Sequence, residues 1–171
     1  PMDFLANDYP CLLLARREPP CLSLYQPTHR HSPDRLQDPI RFRNLVNVME
    51  QSLRQKYPGR DIAPLLEPFN RLAQDHDFWN HTFDGLAVLG ASDIFRVYRL
   101  RRGVAELAVV ADSFHTKPLL RIVQSADRYQ ILGLDRQQAS LLEGNRDGLD
   151  EIALSEGVPG TIEEVMNLDI D

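Results

Sequence analysis

The sequence is short of the residues on which many catalytic and metal-binding motifs depend. It has two cysteines, Cys11 and Cys21, which fit no C-x-x-C pattern, and no H-E-x-x-H accompanies its five histidines. Zinc chemistry therefore has no local motif, and His29, His31, His76 and His81 are expected as solvated loop histidines. No two glycines are adjacent, no Gly-rich phosphate cradle occurs, and no G-x-S-x-G elbow is present. Nucleotide-dependent catalysis and the α/β-hydrolase nucleophile are both left without a motif. Neither a metal nor a cofactor is expected.

Long apolar runs are missing too. A bilayer span needs about 18 residues, whereas "CLLLA" (11–15) stops at Arg16 and Arg17. It reads as neither a membrane helix nor a signal peptide, and no membrane partner is expected. Pro1 stands before Met2, which reads as the natural first residue. With no export signal, Cys11 and Cys21 are expected to be reduced core residues, and the compartment is expected to be the cytoplasm.

What is present suits an ordinary globular protein: 171 residues, 43% apolar, with a net charge of −6. The charge is uneven. Residues 1–60 carry nine basic and six acidic groups, and residues 61–171 carry ten and nineteen. The overall acidity argues against a dedicated nucleic-acid binder, while leaving room for a local basic patch.

Hydrophobic periodicity gives the elements. Asp8, Tyr9 and Pro10 suggest a helix over 9–18, and "CLSLYQPTH" (21–29) alternates as a short strand. Asp38-Pro39 opens a helix to about 56, with Phe42, Leu45, Val46, Met49 and Leu53 on one face. Asp61 caps another, with Ile62, Leu65, Leu66, Phe69, Leu72 and Ala73 on its stripe, and Pro68 is expected to kink it or make it restart. From residue 84 the period shortens. "GLAVLGA" (85–91), "IFRVYRL" (94–100) and "ELAVVAD" (106–112) read as three strands, the first two forming a hairpin. "LAVL" and "LAVV" are apolar on both faces, as central strands covered from two sides would be. Pro118 opens a short helix to about 124. Strands follow at "RYQILGLD", "QASLLEGN" and "GLDEIAL", and Thr161 with Glu164 forms a capping box for a last helix. The fold class is therefore α/β (α+β): a mixed central sheet flanked by helices, then an additional short β-hairpin region.

Three stretches carry chemistry-bearing residues. In "SFHTKPLL" (113–120), His115 and Lys117 are candidate catalytic residues of a hydrolase. Ser113, His115 and Asp112 are too close in sequence for a triad, so the alternative is a chain corner with Phe114 in the core. In "DFWNHTFDG" (77–85), Phe78, Trp79 and His81 form a candidate protein-interaction surface, against the reading of Trp79 as core. In "RVYRLRR" (96–102), Arg96, Arg99, Arg101 and Arg102 surround Tyr98, and basic residues interleaved with an aromatic suit an RNA backbone. The alternative is an edge strand guarded by charge.

Six ordered blocks point further: "PPCLSLYQPTHR" (19–30), "DPIRFRNLV" (38–46), "DFWNHTFDGLAVL" (77–89), "FRVYRL" (95–100), "FHTKPLL" (114–120) and "ASLLEGNRDGLDEI" (139–152). Together they resemble a bacterial branch of the archaeo-eukaryotic peptide-chain release factor family. The resemblance implies a first α/β domain over residues 1–125, the opening strands of a second over 126–154, and an acidic linker with a short helix over 155–171. It implies ribosome or tRNA as partner. In the wider family a Gly-Gly-Gln loop of the second domain directs water to the peptidyl-tRNA ester. This chain has no Gly-Gly, and no Asn-Ile-Lys-Ser type codon-reading motif. The expectation is thus a non-catalytic anchoring module, with homodimerisation through residues 127–154 if those strands lack sheet partners.

Overall fold

The computed structural model describes residues 8, 11, 13–125, 129–135, 137–145, 148–152, 154 and 159–161, which fall into two compact units, Pro1–Gln124 and Ser125–Asp171. The α/β architecture read from the sequence is present, and its central sheet narrows from mixed to antiparallel throughout.

Strand β1 (Cys21–Pro27) lies inside the first sheet, between β2 (Gly85–Ala91) and β4 (Leu107–Ala111), while β3 (Ile94–Leu100) pairs with β2 at the far edge. Between β1 and β2 the chain makes a 3-10 turn (Asp34–Gln37) and three helices: α1 (Asp38–Lys56), α2 (Ala63–Ala73) and α3 (His76–Asn80). Side-chain alternation along β1 divides the core. Leu22 and Leu24 meet Phe42, Met49, Phe69 and Trp79 under these helices, while Cys21 and Tyr25 join Tyr98, Phe114 and Leu119 on the opposite face. Leu119 comes from α4 (Lys117–Ser125), so helices cover both faces, as strands apolar on both sides require.

The stripes of α1 and α2 are buried as their spacing predicts, with Leu45 half-buried at the margin. Helix α2 runs through Pro68 without a break between Ala63 and Ala73. Pro68 is the sixth of eleven helical residues; it forfeits one backbone hydrogen bond, and the buried apolar stripe holds the turns on either side.

Some expectations are corrected. Residues 13–18 form a turn and irregular chain, so the described part of 9–18 holds no helix there. Cys11 is exposed, while Cys21 is core. β4 is an edge strand, not a central one. Its "LAVV" is apolar because Ala108 and Val110 face the first core and Leu107 the second. Asp38 does not cap α1. It is the helix's first residue, and its buried carboxylate accepts from the His29 backbone N–H (2.7 Å) and from His29 Nδ1 (2.9 Å), tying the end of β1 to the helix start. The helix α3 has no counterpart in the sequence reading. Its signal is Asp75, whose Oδ1 accepts from Phe78 N at 2.9 Å as an N-cap.

In the second unit, β5 (Tyr129–Leu134), β6 (Ala139–Asn145) and β7 (Gly148–Ile152) form an antiparallel sheet in that order. The capping-box helix expected after Thr161 lies outside the described residues.

Candidate functional site

The order β3-β2-β1-β4 forces one unusual connection. Chain leaving β3 at one edge must reach β4 at the other, three strand spacings or about 14 Å away. Residues 101–106 can span about 20 Å, enough to cross the end of the sheet in one pass with bends at Arg101 and Arg102. Gly85 makes room for them: a Cβ there would stand 2.3 Å from the Arg102 carbonyl oxygen.

This crossing separates the arginines that look like one cluster in the sequence. Arg99 and Arg101 serve the face of the first core. The Arg99 guanidinium lies 4.7 Å from the Phe78 ring centroid, and Arg101 and Arg30 each lie 5.3 Å from that of Phe83. Arg30 also grips Asp84 through two hydrogen bonds, of 2.9 and 2.6 Å, which absorb that carboxylate's charge and raise the Arg30 pKa further. Arg35 donates to the Asn80 carbonyl nearby at 3.2 Å. A guanidinium seated over a ring keeps its charge, although that of Arg30 is balanced by Asp84.

Arg96 and Arg102 belong to the other face. Arg96 pairs with Asp8 at 3.3 Å, and the Tyr98 hydroxyl donates to the same carboxylate at 2.6 Å. Tyr98 is only 1% exposed, so its ring is a core element and unavailable for stacking a base. Arg102 lines a cleft of about 530 Å³ between the crossing segment and α4, together with His115, Lys117 and Arg121. Gly103, Val104, Ala105, Glu106, Leu107, Pro118 and Ile122 complete its walls.

The junction at 113–118 is thus both a corner and the rim of a cleft. Two polar side chains of β1 fix the corner: the His115 N–H donates to Ser23 Oγ at 2.9 Å, and the Tyr25 hydroxyl donates to the His115 carbonyl. Burial raises the Tyr25 pKa well above its usual value and keeps that donor neutral. Phe114 is buried as expected. His115 and Lys117 do reach a shared cavity, but among the described residues no serine, threonine, tyrosine or cysteine lines it. Glu106, its one carboxylate, accepts from Arg41 Nε at 2.7 Å. The lining can attract an anion, yet it lacks the nucleophile of a covalent hydrolase.

Phe78 and Trp79 are core residues. Trp79, 5% exposed, packs 5.4 Å from Phe42 and donates its indole N–H to the Leu72 carbonyl at 2.9 Å. Only His81 of that trio is exposed, with Nδ1 2.8 Å from the Asp77 carbonyl oxygen. Among the described residues, no three His, Cys, Asp or Glu side chains gather as a metal site, and no helix is long and apolar enough to cross a membrane.

No family model matches this chain, and no curated protein does. Several solved structures are similar to it, two of them archaeal. One, titled an archaeal protein, is 15% identical with a TM-score of 0.48, covering 96% of this chain and 49% of its own. The other, an archaeal translation termination factor, aRF1, is 18% identical with a TM-score of 0.41, covering 96% of this chain and 46% of its own. The chain spans about half the length of these structures. At such distances, the functional reading falls to the side chains themselves.

Sequence reasoning missed Arg30 and Arg121. Arg121 had a signal: it follows Lys117 by four residues, as Ile122 follows Pro118, so one stripe of α4 pairs like charges beside an apolar pair. Like charges at that spacing cost a helix about 0.2–0.5 kcal/mol, which a purely structural helix has no reason to retain.

Proposed function

We propose that this chain is a non-catalytic, RNA-contacting module of a release-factor-like protein, working with the ribosome or tRNA in translation or ribosome quality control. The observation that carries the reading is the set of Arg30, Arg99 and Arg101 seated over Phe78 and Phe83 on one face. Arg99 and Arg101, pre-positioned on the rings, suit the phosphates of a structured RNA, with Arg30 and Asp84 a balanced pair beside them, and a local basic face is enough despite the acidic total. The six sequence blocks supply the family context. Within this reading, residues 1–125 are the release-factor-like first domain and 126–154 open the second. The exposed edge strand β5 is where a second copy would add. The cytoplasm is the matching compartment.

Co-sedimentation with ribosomes across a salt series tests the proposal on the full-length protein. Association should weaken as salt rises, and Arg99→Ala/Arg101→Ala should flatten the log–log slope by about 1–2, at roughly 0.7–0.9 for each phosphate no longer neutralised. Absence of association even at low salt would end the reading.

A further inference from the structure

The cleft on the opposite face is not absorbed by that reading. Its cationic side is formed by Arg102 from the crossing segment and by Lys117 and Arg121 from α4, with His115 at the rim. Lys117 and Arg121 form no ion pair among the described residues, and both are exposed. The single acidic residue in the lining is held by Arg41, a residue of α1 that lies outside the lining. The apolar side is aliphatic, with Val104 and Ile122 half-buried against the second core. At about 530 Å³ the space falls in the range of small-molecule sites, which extends over about 300–1,000 Å³.

Cations alone would suit any polyanion, and aliphatic walls alone any apolar group. Their meeting in one cleft of this size favours a molecule with a compact anion at one end and a body that can lie on aliphatic side chains at the other. We infer that the cleft between residues 102–107 and α4 binds a nucleoside phosphate. Arg102, Lys117 and Arg121 take the phosphate, and the base or sugar lies on Val104 and Ile122. The same chemistry could arrive as one nucleotide of an RNA strand or as a free nucleotide. The inference goes beyond the RNA-contacting reading and stands on different residues, so the two can fail separately.

Calorimetric titration of the full chain with AMP, adenosine and a short single-stranded oligoadenylate tests it. AMP should bind saturably and adenosine at least about tenfold more weakly, because only the phosphate engages the cations. Lys117→Ala/Arg121→Ala, at exposed positions that leave the core intact, should weaken AMP by about tenfold or more, with Lys117→Arg retaining most of the affinity. Arg99→Ala/Arg101→Ala should leave AMP binding unchanged. An oligoadenylate binding more tightly than AMP identifies a strand as the source, and equal affinities identify the free nucleotide. The inference is overturned if AMP and adenosine bind alike, if neither AMP nor oligoadenylate binds, or if the Lys117/Arg121 double variant binds like the parent.

Discussion

Strands β1 and β5 make an instructive pair. β5, "YQILGL", is the more apolar by composition, yet five of its six residues are exposed, while β1, "CLSLYQP", is buried along six of seven. Ser23 and Gln26 of β1 are fully buried, whereas Leu134 of β5 is 71% exposed. Strand composition therefore does not set burial here. Cover does: β1 has a paired strand on each side and a core cluster on each face, and β5 is the edge of a three-stranded sheet. Polar residues in the covered strand find partners for most of their polar atoms, the buried Gln26 Oε1 being left without one among the described residues. Ser23 Oγ accepts from His115 N, and Gln26 Nε2 donates to the Asp38 carbonyl at 3.1 Å.

The largest test of this contrast is in the covered sheet. Phe42→Ala, at a fully buried position, should cost about 3–5 kcal/mol in chemical denaturation. Gly90→Ala should cost about 1–3 kcal/mol, because the new Cβ would stand 2.6 Å from the Phe69 ring. A loss under about 0.5 kcal/mol at Phe42 would refute the packing described.

The exposed strand should respond differently. Leu132→Lys on β5 should change the stability of the first unit by less than about 0.5 kcal/mol, while removing any concentration-dependent self-association seen by sedimentation. A large stability loss would mean that the β5 surface is covered in solution.

The smallest effects concern protons and also differ between the units. Burial raises the Tyr25 pKa, so its neutral form is favoured in the folded state. That contribution is complete below the unfolded value of about 10 and declines as pH rises above it. Phenolate absorbance from Tyr25 should therefore appear only with alkaline unfolding, and Tyr25→Phe should remove that component. Asp135, exposed in the β5–β6 turn, accepts from the Gln137 and Gln138 N–H groups, at 2.6 and 2.8 Å, which lowers its pKa. Its contribution is complete above the unfolded value of about 3.9 and is lost as pH falls through the folded one. Carboxyl chemical shifts followed by NMR should place its midpoint below that of an ordinary aspartate.

How legible all this was depends on whether a feature is local. Helices α1 and α2 and the β2–β3 hairpin follow from spacings within a dozen residues, and their buried stripes match residue by residue. The edge position of β4 does not, because it depends on where the chain goes after Leu100. The arginine cluster failed for the same reason. Arg99 and Arg102 are three residues apart in the sequence, but strand alternation and the crossing send them to opposite faces. Tyr98 sits among charges in the sequence and in the core of the fold. The cleft joins residues 102–107 to 115–122, and no short window contains both walls.

The crossing segment has one more consequence. Arg101 and Arg102 are successive residues of that bridge, one placed over the ring of Phe83 and the other in the cleft. Neighbours in the chain thus look out from opposite sides of the sheet, so a change at one guanidinium can be read without disturbing the surface that the other serves.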